Sequence, residues 1–144
     1  MFSKACEYGI RATIYIAHES KRGNRSSLSE IADAIDSPVA FTAKILQLLA
    51  KSKIIDSVKG PAGGYEISRN QQHTISLQHI VEAIDGNRIY NGCGLGLQEC
   101  NALKPCPVHN NFVIIRNNLK NMLAETKVSD LASGLVEGAT FLKR

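Results

Sequence analysis

The chain has 144 residues, of which 44% are hydrophobic and 21% are charged, and it carries a formal net charge of +4. This length predicts one domain with its own hydrophobic core, and this composition excludes a disordered or fibrous protein. The mild positive charge permits a nucleic-acid partner without requiring one.

Neither a membrane span nor a targeting segment is visible in the sequence. No stretch approaches the roughly 20 consecutive apolar residues that a spanning helix needs. Lys4, Glu7 and Arg11 interrupt the segment in which a secretory signal peptide would have its apolar region. We therefore expect a cytoplasmic protein without a membrane partner. In that compartment, clustered cysteines indicate metal binding or redox chemistry more often than structural disulfides.

Three helices are predicted in the first 52 residues. The first runs from Lys4 to His18 after Ser3 as N-cap, and the second follows a capping box at residues 27–30. Residues 36–38 then end one helix and start another, which runs to Ser52 with Phe41, Ile45, Leu48 and Leu49 on its core face. Two helices joined by so tight a turn predict a helix-turn-helix, and an ordinary helical hairpin is the alternative.

A β-hairpin is predicted directly after these helices. Residues 54–59 have strand composition, residues 60–64 form a Gly-Pro-rich loop, and residues 65–68 alternate as a returning strand does. A hairpin in this position turns a helix-turn-helix into a winged helix. The glycine-rich tip lets the backbone approach a phosphate or the floor of a groove.

The second half of the chain is predicted to be mostly helical. A short strand at residues 73–75 precedes a helix that Ser76 caps and Gly86 ends. After a cysteine-rich loop, a longer helix capped by Asn110 or Asn111 runs to Glu125, and a last helix follows a cap at Ser129. The longer helix has an apolar stripe made of Phe112, Ile114, Ile115, Leu119, Met122 and Leu123. We expect a partner subunit to cover that stripe, and packing on its own domain is the alternative.

The cysteine loop contains the residues that indicate chemistry. Its spacing is Cys93-x6-Cys100-x5-Cys106-x2-His109, and its glycines and prolines exclude a helix or a strand. Soft ligands gathered in one loop predict a metal or cluster site. Zinc accepts three cysteines and one histidine, but the loop lacks the close cysteine pair that zinc knuckles begin with. A metal-free thiol or disulfide switch is a further alternative.

An enzyme is not expected. The sequence shows no phosphate-binding loop and no nucleophile beside a matching base, so no small-molecule substrate is predicted.

Several segments together resemble the bacterial winged-helix regulators of the IscR and NsrR type, the Rrf2 family. The resemblance covers about residues 1–127. It rests on residues 3–12, 28–41, 57–65 and 75–86 and on the three spaced cysteines. It implies a homodimeric transcriptional regulator that binds a near-palindromic double-stranded DNA operator. It further implies that the regulator senses redox state, nitric oxide or iron–sulfur supply through a cluster.

The resemblance also implies a ligand set. Three cysteines leave one position of an iron–sulfur cluster open. His109 matches the IscR-like Cys-x-x-His arrangement and favours a 2Fe–2S cluster within one chain, although a 4Fe–4S cluster is possible. Glu7 stands where NsrR-like members place a carboxylate that reaches the partner's cluster, so it is the alternative fourth ligand. Cys6 is expected to be a small buried residue instead.

The residues expected to face DNA lie on the second helix of the helix-turn-helix and on the wing. They are Ser37, Val39, Ala40, Thr42, Ala43, Lys44, Ser57, Lys59, Gly60, Gly63 and Gly64. The family usually has arginine at the position of Lys59 and glycine at that of Ala62. Lysine keeps the charge but lacks the planar fork that suits a narrow minor groove, so we expect weaker readout by the wing.

The predicted architecture is mainly α with a small β-hairpin. It comprises a winged helix-turn-helix domain at residues 1–86, a cluster-binding loop at 87–110, and a dimerisation helix with a helical tail at 111–144.

Overall fold

The computed structural model describes residues 1–143, which form eight helices and one two-stranded antiparallel sheet. The elements in chain order are α1 Lys4–Lys21, α2 Leu28–Ala34, α3 Val39–Lys51, β1 Asp56–Val58, β2 Gly64–Glu66, α4 Arg69–Thr74, α5 Leu77–Asp85, α6 Arg88–Asn91, α7 His109–Glu125 and α8 Val128–Val136. This confirms the predicted mainly helical fold with a small hairpin. Within these residues, no helix is both long and apolar enough to cross a membrane.

The predicted caps of the first two helices are confirmed. The Cys6 amide donates to the Ser3 hydroxyl at 3.0 Å, which satisfies one free donor at the start of α1. At α2 the Glu30 amide donates to the Ser27 hydroxyl at 3.2 Å, and the Glu30 carboxylate accepts from the Ser27 amide at 2.9 Å. These local bonds fix where the two helices begin.

One hydrophobic core joins most of the helices. Ile16 of α1, Ile31 of α2, Leu49 of α3 and Ile80 of α5 are all fully buried in it. Val128 and Ala132 of α8 lie in the same core, because α8 packs along α1. By packing on α1, the C-terminal helix α8 contributes to the same core that supports the helix-turn-helix.

The wing is short and is joined to the helical body. Asp56 of β1 pairs with Glu66 of β2, and Val58 pairs with Gly64. Ser26, just before α2, forms a bridge with Tyr65 through hydrogen bonds of 3.0 and 2.8 Å. This third segment fixes the hairpin to the start of the helix-turn-helix.

The strand predicted at residues 73–75 is wrong. Residues 69–74 form α4, because Ser68 and Gln71 make a capping box with bonds of 2.8 and 3.2 Å. Only Ile75 is extended, and the following Ser76 bridges Lys127 before α8. The capping box therefore outweighs the strand-like composition of residues 73–75.

Several further details differ from the expectations. Helix α1 ends at Lys21 instead of His18, α3 begins at Val39 with Pro38 as its N-cap, and α8 begins at Val128 instead of after a cap at Ser129. The short helix α6 was not predicted, and α7 begins at His109 rather than after an asparagine cap. On α3 the side chain of Leu48 is 37% exposed, whereas Leu46 is fully buried. The predicted segment 111–144 ends at Arg144, which lies outside the described residues.

Candidate DNA-binding surface and metal centre

The second helix of the helix-turn-helix presents a small exposed surface. Asp36 adopts a positive φ of 52° in the turn before α3. Val39 is 52% exposed, Ala40 and Lys44 are also exposed, and Ala43 is half-buried. This surface offers methyl groups and one cation, and few groups that could hydrogen-bond to base edges.

Thr42 does not belong to that surface, which corrects its prediction as a DNA-facing residue. Its side chain is 0% exposed, and its hydroxyl donates to the Pro38 carbonyl at 2.8 Å. The same hydroxyl contacts the half-buried Ser37 hydroxyl. The buried Thr42 side chain therefore links the turn at residues 36–38 to the first turn of α3. Thr42 precedes Ala43 on α3, and the helical periodicity turns its side chain towards the core.

The tip of the wing exposes the residues predicted there. Ser57, Lys59 and Gly60 are exposed, while Gly63 and Gly64 are half-buried. The Gly63 amide donates to the Gly60 carbonyl at 2.9 Å and closes the tip. No acidic side chain pairs with Lys59 within residues 1–143, so its charge is available to a phosphate.

Arg25 supports the wing, a role that no sequence pattern indicates. Its Nε donates to the Glu66 carboxylate at 2.9 Å, and its Nη1 donates to the Ala62 carbonyl at 3.1 Å. Both partners lie about 40 residues further along the chain, so no local pattern could show the contact. Arg25 neutralises Glu66 and holds the tip in place.

The cysteine loop is an ordered connection between α6 and α7. The Gly96 amide donates to the Cys93 carbonyl at 3.0 Å, and Gly96 has a φ of +73° that favours glycine. The Asn101 side chain accepts from the Leu103 amide at 2.8 Å and from the Lys104 amide at 3.2 Å. These turns bring distant cysteines back towards the start of α7.

Two of the four predicted ligands are in direct contact. Cys100 Sγ lies 3.4 Å from Nδ1 of His109. All three cysteines of the loop are free and half-buried. Within residues 1–143, no three Cys, His, Asp or Glu side chains lie close enough together to hold one metal ion.

Cys93 has a polar environment that favours its thiolate. Hydrogen bonds from the backbone amides of Leu95 and Leu97 lower the pKa of Cys93 below its ordinary value. Burial opposes these two bonds by raising the pKa, and the Cys106 thiol and the positive charge of Arg116 make smaller contributions that lower it. Thiolate is the form in which cysteine binds metals.

Arg116 is a functional candidate that sequence reasoning missed. It lies on α7 and is only 9% exposed. One guanidinium nitrogen donates to the Gly92 carbonyl, and another lies 3.0 Å from Cys100 Sγ. One signal was present, because Phe112, Arg116, Leu119 and Leu123 occupy one helical stripe, and a charge there requires a partner.

Glu7 and Cys6 lie next to each other on α1 but in different environments. Glu7 is partly exposed and pairs with Lys4 at 3.0 Å. Cys6 is fully buried, and burial, followed by the charge and hydrogen bond of Asp85, raises the pKa of its thiol to about 12. The prediction that Cys6 is a buried core residue is confirmed.

Comparison with known proteins identifies the family. The sequence profile of the Rrf2 family, described as "Iron-dependent Transcriptional regulator", matches residues 2–134. The chain belongs to the Rrf2 family. An HTH-type transcriptional regulator of Aquifex aeolicus is 29% identical over 133 residues, which cover 91% of this chain and 90% of that protein.

Two solved structures share the fold of this Rrf2 protein. IscR of T. potens superposes with a TM-score of 0.75 at 16% identity, covering 97% of this chain and 91% of that one. CymR of B. subtilis, the global cysteine regulator, superposes with a TM-score of 0.74 at 21% identity, covering 92% and 96%. The resemblance drawn from the sequence is confirmed, and so is the assignment as a DNA-binding transcriptional regulator rather than an enzyme.

Proposed function

We propose that this Rrf2 protein is a homodimeric regulator that binds an operator and senses redox state, nitric oxide or iron–sulfur supply through a cluster on its cysteine loop. The observation that carries the proposal is the contact of Cys100 with His109 at the start of α7, in a loop that also holds the free, half-buried thiols of Cys93 and Cys106. No other part of residues 1–143 brings three cysteines into one loop.

The donor set fits an iron–sulfur cluster in its chemistry. Thiolates are the ligands that iron–sulfur clusters require, and one histidine can replace a cysteine. Arg116 adds a buried positive charge beside Cys100, which suits an anionic metal–thiolate group. Its Nε is buried and has no hydrogen-bond partner within residues 1–143. That unpaired donor supports an anionic occupant on this side of the loop.

We assign Cys93, Cys100, Cys106 and His109 as the residues that would hold the cluster, with 2Fe–2S favoured. Such a group supplies a centre that one-electron oxidants, nitric oxide and iron shortage can alter or remove. The chain's own contribution is to link the loop to α7. His109 is the first residue of α7, and its amide donates to the Cys106 carbonyl at 3.0 Å. A change in the loop therefore moves the start of this helix.

A second copy of the chain would cover α7. Ile114 and Ile115 are 63% and 59% exposed, and Met122 is also exposed on this helix. Exposed apolar side chains arranged along one helix are typical of a subunit interface. We infer that α7 pairs with α7 of a partner, so that the two winged helices lie side by side.

The DNA-binding part of the proposal combines the two exposed surfaces. Val39, Ala40 and Lys44 would enter a major groove, and Lys59 with the glycine tip would approach the neighbouring backbone. A symmetric dimer reads two half-sites about one helical turn apart. A shift of α7 in the dimer changes that spacing, and this couples the loop to operator affinity.

Anaerobic purification tests the cluster directly. We expect a coloured protein with visible absorbance and about two iron and two sulfide ions per chain, the stoichiometry of a 2Fe–2S cluster. Four of each would indicate 4Fe–4S. A colourless protein that carries stoichiometric zinc, or no metal at all, would overturn the proposal.

The alternative is a winged-helix regulator with zinc or a metal-free thiol switch in the same loop. Three free cysteines in one loop favour the thiol switch, because the backbone hydrogen bonds that lower the pKa of Cys93 favour its reactive thiolate form. Mass spectrometry of aerobically treated, metal-free protein distinguishes this case, since a disulfide removes two hydrogen atoms from the mass of the chain.

A further inference from the structure

Arg116 is a buried arginine whose contacts in the described part of the chain include no carboxylate as counter-charge. Burying a guanidinium is costly unless a carboxylate or several hydrogen bonds compensate. Within residues 1–143, no Asp or Glu lies within salt-bridge distance of Arg116. Its partners are instead the Gly92 carbonyl and Cys100 Sγ, and its Nε has none among these residues.

These partners lie at two places in the cysteine loop. Gly92 is the residue that follows α6, and Cys100 lies in the middle of the loop. The planar fork of one arginine thus holds both parts against α7, which a single ammonium group could not do. Ile115, the next residue back on α7, is 59% exposed on the apolar face proposed for dimerisation.

We propose that Arg116 is a positioning residue that anchors the cysteine loop to α7 and supplies the counter-charge for a metal–thiolate group bound there. The second half of this inference rests on the proposed cluster, whereas the anchoring does not. Holding the loop in position and supplying a positive charge are two separable roles of the Arg116 side chain. Arg116 thereby joins the loop to the dimer helix at a second place, one further along α7 than His109.

Two substitutions separate these effects. Arg116→Lys keeps the charge but loses the fork, and Arg116→Gln loses the charge as well. Lys120→Gln is the matched control, because it removes one positive charge from the same helix four residues away. The ammonium of Lys120 lies over the Tyr90 ring, 5.6 Å from its centroid, and not at the loop.

The anchoring is measured on metal-free protein by hydrogen exchange. The reporter is the Gly96 amide, whose bond to the Cys93 carbonyl closes the first turn of the loop. We expect about tenfold faster exchange in both Arg116 variants, since each loses a charge-assisted hydrogen bond. Lys120→Gln should match the wild type. Unchanged exchange in both Arg116 variants would overturn the anchoring.

The counter-charge is measured on the reconstituted protein. Removing a positive charge beside the loop disfavours an added electron, so Arg116→Gln should have a lower reduction potential than Arg116→Lys. It should also lose iron to a chelator about 10- to 100-fold more readily than the wild type. Equal potentials and equal iron loss in all four proteins would overturn the counter-charge role.

The two measurements also distinguish this inference from the proposed function. If the wild type binds no iron and sulfide, the cluster proposal and the counter-charge role both fail, whereas hydrogen exchange still decides the anchoring. If Arg116→Gln does not fold, as its circular dichroism would show, Arg116→Lys still tests the fork by hydrogen exchange.

Discussion

Cys100 Sγ lies 3.4 Å from Nδ1 of His109, although the two residues are nine positions apart along an irregular stretch of chain. The contact brings the middle of the cysteine loop to the first residue of α7. The helix that follows fixes the backbone orientation of the residue at its start. His109 is therefore a well-positioned ligand candidate, and the proposed cluster is attached to a rigid element on this side.

The fourth ligand can be identified by replacing each candidate. We expect His109→Ala to change the visible absorption of the anaerobic protein, because it removes a donor within the same loop. Glu7→Ala should leave the spectrum unchanged, since Glu7 lies on α1 and pairs with Lys4. The opposite pattern, a change with Glu7→Ala alone, would assign the fourth ligand to the partner subunit.

Replacing Lys59 tests whether the wing contacts DNA. Lys59→Ala should weaken operator binding and lower the slope of log K against log salt by about 1 per half-site, because one phosphate contact is lost. Titrations at several salt concentrations measure both quantities. Lys104→Ala is the matched control, since this exposed lysine lies in the cysteine loop. Equal slopes for the two variants would exclude the wing from the DNA contact.

Thr42 tests whether a buried hydroxyl on α3 supports the fold. Thr42→Val should lower the free energy of unfolding by about 1 kcal/mol, because it removes the bond to the Pro38 carbonyl and leaves the Ser37 hydroxyl without its contact. Thr42→Ser keeps the hydroxyl and should lose less. Urea unfolding measures the difference. A stable Thr42→Val protein with weakened operator binding would instead support the direct DNA contact.

Cys6 should differ from the other three cysteines in reactivity. Its thiol is fully buried and its pKa is raised to about 12, so almost no thiolate exists near neutral pH. Iodoacetamide should therefore modify three cysteines of the folded, metal-free protein and the fourth only in denaturant. Peptide mass mapping identifies the sites. Rapid modification of Cys6 in folded protein would show that α1 opens at its N-terminus.

Local signals predicted the local structure well. The capping box at Ser27 and Glu30 and the strand-and-glycine pattern of the wing are short-range features, and both are confirmed. The wrong prediction of a strand at residues 73–75 also concerns a local signal. A second capping box, at Ser68 and Gln71, begins a helix that runs to Thr74 despite the strand-like composition there.

Long-range pairing explains what the sequence could not show. Arg25 meets Glu66 across 41 residues, and Arg116 meets Cys100 across 16 residues through an irregular loop. Neither spacing follows from helix or strand periodicity. On α3, Leu48 and Leu46 both suit a core, and only the packing of neighbouring helices decides that Leu46 is the buried one.

The wing of this protein is not a module that can be exchanged alone. Gly64 has a φ of +137°, and a side chain there would begin 2.8 Å from the Ser26 carbonyl oxygen, while Arg25 holds the Ala62 carbonyl. Residues 25 and 26 are thus structurally part of the hairpin although they precede α2. A chimera that transplants residues 56–66 into a relative must carry residues 25 and 26 with them, or the new wing loses its support.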